Sequence, residues 1–142
     1  MKQPRILHFT LITSIFALFF IAGCEKKDFS DNMIPKEHMA NCHSAMVTDI
    51  IVPNDIRAGQ AFVVDVKFVK PTPCDSLLGF QLHQAKNTFD LDVCLLLSEE
   101  PCITVIEIAQ SAFTLTLPLA GNYTLSYLGT EGEESISFTV NP

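Results

Sequence analysis

The chain has no tryptophan, only six glycines, and only nine lysines and arginines against sixteen aspartates and glutamates. This shortage of positive charge argues against a surface that binds the phosphates of nucleic acids. The sequence also lacks a Gly-x-Ser-x-Gly elbow, a His-Glu-x-x-His motif and a glycine-rich phosphate loop. No nucleophile can be paired with a base by spacing, so we predict a protein without catalytic activity and without a cofactor.

The longest hydrophobic run covers residues 9–21 and follows the positive charges of Lys2 and Arg5. It is shorter than the roughly twenty apolar residues of an ordinary transmembrane helix, and its layout is typical of a secretion signal. The run ends in Ile-Ala-Gly-Cys at residues 21–24, which resembles the bacterial lipobox. Small residues there permit cleavage, and the thiol of Cys24 would accept diacylglycerol. We predict a lipoprotein precursor cleaved directly before Cys24; the alternative is an uncleaved membrane anchor.

Three segments follow from this interpretation. Residues 1–23 are the predicted signal peptide, 24–41 a polar and flexible tether, and 42–142 one domain. Cleavage leaves seven lysines and arginines against sixteen acids, a net charge of −9. Glu25 stands where an aspartate would favour the inner membrane, so we expect an outer-membrane location, facing either the periplasm or the cell surface. The expected partners are the membrane, through the lipid, and an envelope protein or glycan, but no nucleic acid.

From residue 46 onward, apolar and polar residues alternate in short runs separated by turn residues. In the clearest run, Phe62, Val64, Val66 and Phe68 would face the core. Similar runs cover residues 78–82, 89–95, 113–117, 123–127 and 136–140. No stretch keeps a helical period for long. Seven or eight short strands at this spacing predict an all-β fold, an immunoglobulin-like antiparallel β-sandwich.

Residues 120–125, Ala-Gly-Asn-Tyr-Thr-Leu, place Tyr123 at the start of a strand after a glycine turn. This resembles the tyrosine corner of immunoglobulin-like domains, in which the phenol binds backbone while the ring stays in the core. The alternative is an ordinary hairpin with a core tyrosine. With the Gly59 turn, the cysteine after the second strand and the closing strand 135–140, the region is similar to small immunoglobulin-like lipoproteins of Bacteroidota that carry no assigned activity. The resemblance implies a lipid-anchored envelope protein that acts as a binding or structural module.

Four cysteines follow Cys24 in the sequence: Cys42, Cys74, Cys94 and Cys102. An even number in an exported protein predicts two disulfides, although spacing alone leaves three pairings open. Two expected hairpins, one centred near Arg57 and one near Ser98, favour the pairs Cys42–Cys74 and Cys94–Cys102.

A second function class, a copper- or zinc-binding lipoprotein, is suggested by side chains at the end of the tether. Imidazole, thioether and thiolate groups are ligands that copper prefers, and they occur here at His38, Met39, Cys42, His43 and Met46. Two observations oppose this hypothesis. Cupredoxins carry their ligands around the last strands, whereas these residues precede the first, and Cys42 is better used in a disulfide. The alternative site therefore consists of His38, Met39, His43 and Met46.

Overall fold

The computed structural model describes residues 42–142, and this part of the chain contains no helix. The predicted signal peptide, Cys24 and the tether with His38 and Met39 lie outside the described residues. The strands are β1 (His43–Ser44), β2 (Val47–Ile51), β3 (Ile56–Arg57), β4 (Ala61–Lys70), β5 (Ser76–Ala85), β6 (Thr88–Leu96), β7 (Glu107–Thr116), β8 (Gly121–Gly129) and β9 (Gly132–Asn141). The predicted all-β class is confirmed. Seven strands have five residues or more, while β1 and β3 have two each.

The strands form two sheets that pack against each other as a sandwich. The smaller sheet has the order β2-β4-β7. The larger sheet has the order β5-β6-β8-β9-β3, with β1 also pairing with β6. Most neighbours are antiparallel, as predicted, but β6 and β8 run parallel, as do β3 and β9. After β6 the chain crosses to the smaller sheet and forms β7. It then returns to the larger sheet, where β8 runs parallel to β6.

The core consists of the inward rows of both sheets, and the predicted alternation is confirmed in β4, where Phe62, Val64, Val66 and Phe68 are buried. From the larger sheet, Phe80 packs against Phe113 of the smaller one, with ring centroids 5.1 Å apart. Burying such a side chain stabilises the fold by about 1.5–3 kcal/mol. The predicted inward position of Leu78 is wrong. The register between β5 and β6 shifts at Leu77/Gly79, which leaves Leu78 exposed.

The predicted tyrosine corner is confirmed at Tyr123. The buried ring lies near Phe89 and Phe138, and its hydroxyl donates a hydrogen bond of 2.9 Å to the carbonyl of Leu119. This bond fixes the turn that carries the chain from β7 back to the larger sheet. Tyr123 therefore has a structural role.

The four cysteines form two disulfides, but the predicted pairing is wrong. Cys42 is bonded to Cys94, with a Cα–Cα distance of 4.9 Å. The hairpin of β2 and β4 is present, yet the chain before it belongs to the other sheet. Strand β1 pairs with β6, so that Ser44 lies opposite Cys94, and Ala45 donates its amide hydrogen to the carbonyl of Val93. This switch of sheet places Cys42 beside Cys94.

The second disulfide joins Cys74 to Cys102, with a Cα–Cα distance of 6.2 Å. The hairpin predicted near Ser98 does not form, because β6 pairs with β5 through a turn at residues 86–87. Residues 97–106 instead cross to the other sheet without forming a strand. This path carries Cys102 to the loop that contains Cys74.

Candidate functional site

One end of the sandwich, which we call the cysteine end, gathers both disulfides. It consists of β1, the loop of residues 71–75 after β4, and residues 97–106, which connect β6 to β7. We call residues 97–106 the crossover segment. The same end carries the exposed apolar side chains of residues 103–108 and an apolar cleft, and we therefore treat it as the candidate site.

The crossover segment is fastened to the 71–75 loop by a buried carboxylate. Asp75 accepts hydrogen bonds from the backbone amides of Thr72, at 2.9 Å, and Ser98, at 3.1 Å. These bonds, led by the one from Ser98, hold the pKa of Asp75 below its usual value despite the opposing effect of burial. The Cys74–Cys102 disulfide makes a covalent link between the same two segments.

Lys70 at the end of β4 adds a further attachment. Its ammonium donates hydrogen bonds to the carbonyl of Pro73 and to the carboxylate of Glu107, the latter at 3.3 Å. The side chain of Lys70 thus links the 71–75 loop to the beginning of β7. The crossover segment is fixed close to both of its ends although it has no strand partner among the described residues.

The crossover segment and the start of β7 expose an unusual number of large apolar side chains. Ile103, Ile106 and Ile108 are 69%, 72% and 63% exposed, and Val105 is also exposed. Clusters of exposed apolar residues on a soluble domain typically mark interaction sites. Sequence reasoning missed this feature because it searched for one buried face in each run. The signal was the continuous stretch Ile-Thr-Val-Ile-Glu-Ile at 103–108, which has no polar face.

An apolar cleft of about 250 Å³ opens beside the crossover segment. Its walls come from both sheets and from the loops between them: His43, Ser44, Ala45, Met46, Val69, Pro71, Leu95 and Leu97. The cleft adjoins the exposed residues because Leu97 begins the crossover segment and Val69 pairs with Ile108. Pockets for small-molecule ligands are usually larger, about 300–1,000 Å³. The cleft lies just below this range, and it is large enough to receive a protruding side chain of a partner.

The alternative metal site is represented in the described residues by His43 and Met46, which line this same cleft. The sulfur of Cys42 is bonded to Cys94, so it cannot act as a thiolate ligand in this state. Within residues 42–142, no group of three or more His, Cys, Asp or Glu residues is arranged to hold a metal ion. The described ligands alone are thus fewer than a transition metal usually requires.

Comparison of the chain with models of protein families, with curated proteins and with solved structures gave no significant match. The resemblance to immunoglobulin-like lipoproteins remains a prediction from the sequence. In the part of the chain that the structure describes, no helix is long and apolar enough to cross a membrane.

Proposed function

We propose that the protein is a lipid-anchored, non-catalytic binding module of the bacterial cell envelope, attached to the outer membrane through Cys24. The N-terminal signal pattern and the lipobox-like residues 21–24 support the anchor. Two disulfides within residues 42–142 fit an exported protein, because such bonds persist in oxidising compartments. The four cysteines of the domain bond with one another, so none of them competes with Cys24 as the acylated thiol.

The observation that carries the binding role is the apolar surface of the cysteine end. Ile103, Ile106 and Ile108 are largely exposed, although burial of such side chains ordinarily stabilises a fold by about 1.5–3 kcal/mol each. Ile103 and Ile106 occupy the crossover segment, which a disulfide and a buried aspartate hold in place, and Ile108 lies in the adjoining strand β7. A surface that is apolar and also fixed suits recognition, because little conformational entropy is lost on binding.

The anchor is tested by metabolic labelling of the full chain with radioactive palmitate and by detergent phase partitioning. The native chain should incorporate the label and enter the detergent phase, and globomycin should cause accumulation of the longer precursor. Cys24→Ser should abolish the label. The double variant Cys74→Ser/Cys102→Ser is the matched control, because it removes two thiols but leaves the lipobox intact. Unchanged labelling or partitioning of Cys24→Ser would refute the proposal.

The second candidate is a copper- or zinc-binding lipoprotein, favoured by the presence of His43 and Met46 in one cleft. Purified mature protein would be incubated with copper(I) or zinc, and bound metal measured by mass spectrometry. Stoichiometric metal that is lost in His43→Ala, but retained in the control His83→Ala at an exposed position of β5, would support this function. Absence of bound metal at saturating copper and zinc would eliminate it.

A further inference from the structure

We infer that the cysteine end docks a protein segment that is apolar at its centre and flanked by lysines or arginines. This inference rests on the proposed function as a binding module and specifies the chemistry of the partner. The apolar part of the contact would be formed by Ile103, Val105, Ile106 and Ile108. The adjoining cleft would receive one side chain of the partner.

Cross-strand pairing extends the exposed apolar residues onto the outer face of the smaller sheet. Ile108 of β7 lies opposite Val69 of β4, and the amide of Val69 donates a hydrogen bond to the carbonyl of Met46. Met46, at 43% exposure, lines the cleft together with Leu97. An apolar row therefore leads from the crossover segment across the end of the sheet to the cleft. This arrangement offers a partner one connected apolar surface with the cleft at its far side.

The charges around this surface are acidic. Glu99 and Glu100 lie in the crossover segment, and Glu107 begins β7. The β8–β9 turn, with Glu131, and the beginning of β9, with Glu133 and Glu134, are at the same end, because β8 runs parallel to β6. The nearby cations are Lys70, whose ammonium Glu107 already binds, and Lys67, which forms an ion pair with Asp49.

This acidic border decides between three possible occupants. Bacterial membrane surfaces are anionic and would repel it. A second copy would bring the same glutamates into opposition, and residues 42–142 carry four lysines and arginines against twelve acids, a net charge of −8. A partner with cations around an apolar centre meets neither repulsion, because its charges are opposite to those of the acidic border. Opposite charges at the rim of an interface favour encounter and orientation. The charge pattern therefore favours a basic and apolar protein segment.

The inference is tested by photo-cross-linking in cells that produce the full chain. A photoreactive phenylalanine analogue replaces Ile106, and the control position is Leu119, which is 70% exposed at the opposite end of the sandwich. A second pair of variants alters charge. Glu99→Lys/Glu100→Lys reverses the acidic border, whereas Asp55→Lys/Asp90→Lys reverses two exposed acids away from the cysteine end. Thermal unfolding of each variant verifies that it folds.

We expect one discrete protein adduct from position 106 and none from position 119. The yield should fall at least fivefold in the Glu99/Glu100 variant and stay unchanged in the control pair. Peptide mapping should locate the cross-link in a segment with lysines or arginines beside apolar residues. A homodimer, a lipid adduct, no adduct, or an adduct that is insensitive to both charge reversals would each overturn the inference. Palmitate labelling in the same cells separates the two failures, because labelled protein without an adduct leaves the anchor intact and refutes only the docking.

Discussion

Asp75 shows how one side chain can fasten an irregular segment. Its carboxylate accepts two backbone hydrogen bonds, from Thr72 and Ser98, which lie on two different connections of the cysteine end. A carboxylate serves here because both partners are donors, and an amide nitrogen in its place would face a backbone N–H. This role could not be predicted from the sequence, because Ser98 lies 23 residues away along the chain.

The depressed pKa of Asp75 predicts a loss of stability in acid. Because the folded-state pKa of Asp75 lies below the ordinary aspartate value of 3.8, this contribution is fully present above that value and is lost as the pH falls through the folded-state pKa. Thermal unfolding measured from about pH 6 to pH 2.5 should show Asp75→Asn less stable than the native chain at pH 6, with a smaller further loss in acid. Asp55→Asn, at an exposed position, should follow the native curve. Parallel curves for the native chain and Asp75→Asn would contradict the assignment.

Among the elements, the β5–β6 hairpin has a lysine at a turn position whose backbone conformation disfavours that residue. Lys86 adopts a φ of 59°, in the left-handed region that residues other than glycine, asparagine and aspartate seldom occupy. Lys86→Asn should therefore raise the free energy of unfolding by about 0.5–1 kcal/mol, part of the 1–3 kcal/mol typical of such strain. Urea denaturation measures the change. Lys86→Ala is the matched control, since it removes the same side chain but keeps a residue that disfavours this φ, and an equal gain in both variants would rule out the backbone explanation.

The strands that sequence reasoning predicted best are those with one buried face. In β4 the alternation of apolar and polar residues survives intact, and in β6 it holds as far as Val93, because each strand packs one side against the opposite sheet. At the end of β6, Cys94 is buried as well as Val93 and Leu95. Strand β1 could not be predicted, since His43 and Ser44 carry no pattern and are held by pairing with a distant strand. The crossover segment could not be predicted either, because its apolar residues are exposed. Both errors in disulfide pairing follow from these two elements.

At the scale of the whole molecule, the two disulfides are interlaced. Cys74 lies between Cys42 and its partner Cys94, and Cys94 lies between Cys74 and Cys102. The bonds join residues 52 and 28 positions apart. In the chain-entropy model, loops of these lengths correspond to about 4 and about 3.5 kcal/mol of stabilisation taken singly. The two effects do not add, because each bond already restricts part of the other loop.

Peptide mapping of the non-reduced protein should show this pairing directly. Trypsin cleaves after Lys67 and Lys86, which separates Cys42 from Cys74 and Cys74 from Cys94, and a glutamate-specific protease separates Cys94 from Cys102 at Glu99. We expect linked peptides that contain residues 42 with 94 and 74 with 102, each released by reductant. Linked peptides that join 42 to 74 would show that the chain does not switch sheets at β1.

The position of the Cys42–Cys94 bond also determines how the domain would bear mechanical tension. A force applied between the chain before Cys42 and the C-terminus passes through that bond to β6 and along residues 94–142. Residues 43–93 lie outside this covalent path and bear no force. Strands β1 to β5 would then carry no direct load. Stretching in a non-reducing solution should therefore extend fewer than half of the residues of the domain. In the presence of reductant, residues 43–93 should extend as well.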